Sequence, residues 1–133
     1  MDEHRAETAR TACRAAYDGS MDFPAIVGML VAAGFEGYAV DYRRAVATYY
    51  LPDGDSVDVA LPDDATPIAA GFDATSVKAA IRQAQLGAAG YTYAGFCRTV
   101  KAAGCAGYLV SFTGRRVVYY GRTAETHVEH FPS

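Results

Sequence analysis

The spacing of apolar residues changes from three-and-four to two and back again along the chain, and each change marks an element. A first helix is expected from about Asp2 to Tyr17, and a related one from about Thr75 to Leu86, where Val77, Ala80, Ile81 and Ala84 form an apolar stripe. Asp73 or Thr75 is placed to cap the latter. A further helix opens at Asp22 as N-cap, with Pro24 in its first turn, where the missing N–H breaks no hydrogen bond, and closes at Gly34. Thr92 and Gly104 take the same roles later. Alternation follows each of these helices. Tyr38, Val40 and Tyr42 fall on one face of a strand, while Ala39, Asp41 and Arg43 fall on the other. Pro52-Asp53-Gly54 and Thr113-Gly114 are turn signals between strands, so antiparallel pairing is expected.

The same order occurs twice. Ala32 to Val40, AAGFEGYAV, returns as Ala102 to Val110, AAGCAGYLV, with six of nine letters identical. At the same offset of 70, Tyr42 meets Phe112 and Tyr49-Tyr50 meet Tyr119-Tyr120. The doubled phrase reads as a helix end followed by a strand start: the first glycine supplies a left-handed turn, and tyrosine begins the strand. The fold expected is α+β, a single domain of two helix-helix-strand-strand-strand halves related by a pseudo-two-fold, with antiparallel sheet packed against helices. The first repeat covers about 1–61, a linker 62–72, and the second repeat about 73–133. Whether the two sets of strands share one sheet is left open.

Composition narrows the classes of function. At 133 residues with 51% apolar and 20% charged side chains, the chain can bury its own core without disulfides. A net charge of −3 argues against nucleic acid as a partner. The longest helical apolar run, Phe23 to Phe35, is shorter than the roughly 20 residues needed to cross a bilayer, so no membrane association is expected. The charged opening MDEHRAETAR has no apolar stretch of the kind that directs secretion, and a cytoplasmic location is expected. Cys13, Cys97 and Cys105 are odd in number and lack metal-ligand spacing, which fits reduced thiols and no cofactor.

The internal repeat, the turn YYLPDG at Tyr49 to Gly54, and the string GRRVVYYGRTAETHVEHF at Gly114 to Phe131 are similar to the YbcV-like family of small bacterial proteins, over nearly the whole chain. The resemblance implies no catalytic residues, since members carry an unknown-function label and some are called phage envelope proteins.

The duplication also acts as a filter, because polar residues present in one half only are better candidates for function than residues shared by both. Cys97 corresponds to Val27 and Cys105 to Phe35, so both thiols are expected in the core. Of each tyrosine pair, one ring is expected inside and one outside. Arg43-Arg44 and Arg115-Arg116 are half-specific and lie beside turns, where they are either solvated or an anion site. No phosphate-binding glycine loop accompanies them. His127, Glu129 and His130 are unusual in a chain with three histidines, but their spacing on a strand is not that of a zinc site. Two registers are open for this strand. One aligns His127 and Glu129 with Val57 and Val59 and turns them toward the core. The other aligns Val128 with Val57, and it is preferred because unpaired buried polar groups are unfavourable. If a ligand site exists, His127 and Glu129 with Arg115 or Tyr119 are the candidate residues, with His127 and Glu129 as an acid/base pair. Three readings follow: a partner-binding or regulatory module, which is preferred; an enzyme or binder of a small anionic molecule through that pocket; and a phage-derived structural component. The partner is unassigned, and a homodimer is left open.

Overall fold

The computed structural model describes residues 1–62 and 64–132; Asp63, within the expected linker, and Ser133, at the end of the expected second half, lie outside them. Two helices, α1 (Glu3–Asp18) and α2 (Phe23–Ala32), precede three strands, β1 (Gly37–Asp41), β2 (Val46–Tyr50) and β3 (Ser56–Ala60). Then come α3 (Ala74–Leu86), α4 (Tyr93–Ala102), β4 (Cys105–Ser111), β5 (Arg116–Gly121) and β6 (Thr126–His130). Each helix begins where a side-chain oxygen can satisfy a free backbone N–H. Asp2, Asp22, Asp73 and Thr92 accept from the N–H of Arg5, Ala25, Ser76 and Gly95 respectively. Gly34 and Gly104, just beyond α2 and α4, adopt φ of 98° and 93°, a conformation that L-residues resist.

The strands form one antiparallel sheet in the order β3-β2-β1-β4-β5-β6, so the question of shared or separate sheets is settled by the β1–β4 pairing. Here Gly37 lies opposite Ser111, and Asp41 opposite Gly107. These two glycines let the central strands approach closely. A methyl group on Gly37 would collide with the Val110 carbonyl, and one on Gly107 with the Val40 carbonyl. The second glycine of the doubled phrase is therefore required by the seam, as the first is required by the helix end.

The helices cover one face of the sheet. Tyr38, Val40, Ala47, Tyr49, Tyr108, Val110, Val117 and Tyr119 point toward them and form the core with Ala9, Leu30, Val77, Phe96 and Val100. At roughly 25 cal/mol per Å² of apolar surface, burial of this many side chains is the main force holding the two layers together. Aromatic rings pack within the layers and between them: Tyr38 of β1 stacks on Tyr49 of β2 at 5.1 Å, Tyr17 of α1 meets Tyr93 of α4 edge-on at 4.8 Å, and Phe96 of α4 meets Tyr119 of β5 at 6.5 Å. The tyrosine pairs divide as the alternation requires, with Tyr49 and Tyr119 buried and Tyr50 and Tyr120 on the far face.

Candidate functional site

On β6 the preferred register is overturned. Val128 faces away from the helices and is 38% exposed, while His127 pairs with buried Tyr119 and Glu129 with Val117. Val57 and Val59 take the corresponding places opposite Tyr49 and Ala47. The expectation rested on the unfavourable burial of unpaired polar groups, but these two are paired. His127 Nε2 donates to Glu129 Oε2 at 2.9 Å, and the Gln85 amide of α3 donates to Glu129 Oε1 at 3.5 Å. Their place on the edge strand also leaves the side chains 16% and 25% exposed. The His127 ring stacks on Tyr119 with centroids 6.4 Å apart. Arg115 does not join them. It lies in the β4–β5 turn, about 13 Å along the strand from Tyr119, where its guanidinium donates to the Pro132 carbonyl at 2.6 Å and covers the Phe131 ring. The neighbouring Arg116 donates to the Gly114 carbonyl. His127, Glu129 and Tyr119 are thus brought together as a packed pair against a ring, without Arg115.

A small cavity lies elsewhere. It measures about 70 Å³ and is lined by Tyr17, Tyr42, Leu61, Asp64, Cys97 and Lys101 among others. Cys97 and Lys101 lie one turn apart on α4 and so share a face. Lys101 is 7% exposed, with its ammonium 2.6 Å from Asp64 and 5.6 Å from the centre of the Tyr42 ring. Lys101 holds the Asp64 carboxyl down at about 2, helped by the Thr66 backbone N–H. The Tyr42 hydroxyl donates to the Cys97 sulfur at 3.4 Å. Burial pushes the Cys97 thiol up, so it stays protonated at neutral pH and is a poor nucleophile. The cavity is also far below the roughly 300 Å³ at which small-molecule sites begin. Its geometry is that of a fastening: the Ala69 N–H donates to the Lys101 carbonyl and the Asp73 N–H to the Ala103 carbonyl, which ties residues 64–73 across the end of α4. Sequence reasoning missed Lys101. Its counterpart at the offset of 70 is Val31, 51% exposed, so the half-specific filter applied to α4 singles out this lysine.

A wider depression of about 330 Å³ lies between α3 and α4, lined by Ala80, Gln83, Ala88, Tyr91, Phe96 and Arg98 among others, with one charged group at its wall. Among the described residues no three His, Cys, Asp or Glu side chains come together to hold a metal, and no helix is long and apolar enough to cross a membrane.

The sheet face opposite the helices is open and carries exposed apolar side chains. Strand registers place its outward residues in three rows. The middle row reads Asp58, Thr48, Ala39, Leu109, Val118, Val128 from β3 to β6. One flanking row carries Tyr50, Gly37, Ser111, Arg116 and His130, and the other carries Val46, Asp41, Gly107 and Tyr120. Leu109 is 47% exposed and Tyr50 38%. A solvated sheet face normally presents polar side chains at such positions, whereas here Leu109, Val118 and Val128 are adjacent across three strands. No family model matches this chain, and no curated protein matches it.

Proposed function

We propose that this protein is a protein-binding module that works through the open face of its sheet. The observation that carries the reading is the contiguous Leu109-Val118-Val128 row on a face that no helix covers. Apolar patches rimmed by polar groups mark contact surfaces, and Asp58, Arg116 and His130 supply the rim. The reading as an enzyme or small-anion site has less behind it, because Arg115 is remote from His127 and bound to its own chain's backbone.

The module is, in this reading, one domain made by duplication, with halves 1–61 and 73–133 joined by 62–72 and related by a pseudo-two-fold through the β1–β4 seam. Matching backbone features support it. Ala45 and Arg115 share a left-handed φ at an offset of 70, as do Gly54 and Ala124, and Gly34 and Gly104. Membership of the YbcV-like family and a cytoplasmic location belong to the same proposal, on the residues quoted for them.

The test is a photoreactive amino acid placed at Leu109 and, separately, at Arg14 on the exposed side of α1, in cells making the protein. Protein adducts should form from position 109 and not from position 14. Adducts from neither position, or equally from both, would refute the reading.

A further inference from the structure

Resting on that reading, we propose that the partner is a second copy of this chain, held face to face about a two-fold axis parallel to the strands. Such an axis lays β3 of one copy over β6 of the other, β2 over β5, and β1 over β4. Stacked sheets pack about 10 Å apart with strands roughly aligned, which these two open faces permit.

Charge selects this arrangement. Among the outward residues of β1, β2 and β3 the charged groups are Asp41 and Asp58, whereas among those of β4, β5 and β6 the charged group is Arg116, with no carboxylate. The proposed axis lays the acidic half of each copy over the basic half of the other, twice. The other face-to-face two-fold, perpendicular to the strands, lays β3 on β3 and β6 on β6, so like charges oppose each other; that arrangement is disfavoured. Arg43 and Arg44 lie in the turn beyond the end of β1 and off the three rows.

Shape selects it as well. Leu109 and Ala39 are paired neighbours in the middle row at the seam. Under the proposed axis Leu109 of each copy meets Ala39 of the other, a large side chain against a small one, on both sides of the axis. Tyr50 likewise falls over Arg116, where a guanidinium can stack on the ring. Size sets the strength. Six strands about 4.8 Å apart and about 17 Å long give roughly 500 Å² of projected face per copy, or about 1,000 Å² for the pair, near the lower limit for a specific interface. The dimer should therefore be a micromolar one.

Sedimentation equilibrium of the purified full chain from about 5 to 500 μM tests this. The expected result is a shift from the 14.1 kDa monomer to twice that mass as concentration rises. Leu109→Lys should weaken association at least tenfold while leaving the circular dichroism spectrum unchanged, since Leu109 makes no part of the core. R116D should also be more monomeric than the parent, because it takes the guanidinium from over Tyr50 and leaves both halves of the face acidic. A monomer at every concentration, or a dimer indifferent to Leu109→Lys or to R116D, would overturn the proposal. A monomeric protein that still gives adducts from position 109 to a different protein would sink self-association while sparing the binding face; absence of all adducts would remove both.

Discussion

Replacing Gly107 by alanine places a methyl group where the seam has no room. It would lie 2.8 Å from Cζ of Tyr120 and closer still to the Val40 carbonyl oxygen. The tyrosine ring is on the open face and can swing aside. The carbonyl belongs to a central strand and cannot move without parting β1 from β4. Overpacking of this kind typically destabilises by about 1–3 kcal/mol, and weakening one seam hydrogen bond adds about 1 kcal/mol. The lower entropy of the unfolded chain returns about 0.7 kcal/mol. The net loss should be roughly 1–3 kcal/mol, or a fall in Tm of about 5–10 °C for a domain of this size. Gly28, in α2, is the control: nothing lies within 4 Å of its added methyl, so Gly28→Ala should stabilise by up to about 1 kcal/mol. Urea unfolding followed by circular dichroism measures both, with unchanged slopes showing that only stability moved. Gly107→Ala within 0.5 kcal/mol of the parent, or shifting in the same direction as Gly28→Ala, would refute the account of the seam.

Asp64→Asn should destabilise by about 2 kcal/mol at pH 7, since it leaves the Lys101 ammonium buried without its carboxylate. Because the folded Asp64 carboxyl is depressed to about 2, its contribution is present above the unfolded value near 4 and is lost as pH falls toward about 2. Denaturant midpoints measured between pH 5 and 2 should converge for parent and variant, and parallel curves would count against the pair. Replacing His127 and Glu129 together by valine, as at Val57 and Val59, should be neutral or stabilising by about 1 kcal/mol, whereas His127→Val alone should destabilise by leaving Glu129 without its donor. Thermal unfolding of the three proteins decides it, and a double variant less stable than the single one would contradict the pairing.

The features readable in the sequence are those set by near neighbours. Asp22 with Pro24, Thr92, Gly34 and Gly104 mark helix ends because capping and left-handed turns depend on a few adjacent residues. The strand alternation around Tyr38 and Tyr108 was legible for the same reason. What escaped depends on distant partners. The sequence favours Val128 as the inward residue because nothing in the letters of β6 shows that His127 and Glu129 satisfy each other or that Gln85 comes over from α3. Lys101 is passed over in the sequence because its burial depends on Asp64 and the segment that crosses α4, 37 positions upstream at the contact. Arg115 could be placed beside a turn, but not at the far end of the strand from His127 with its donors already taken. The open face follows only from knowing that all four helices lie on one side.

The paired His127 and Glu129 on β6 bear on aggregation. β6 is the last strand of the sheet, and its free edge offers backbone N–H and C=O groups to any extended chain. A seventh strand would have to extend the core side of the sheet past this pair, burying an imidazole and a carboxylate that are now partly exposed. Charged groups turned inward at an edge oppose such growth. The valine double variant should therefore gain thermal stability and lose solubility: the same two side chains that weaken the fold slightly keep the sheet at six strands.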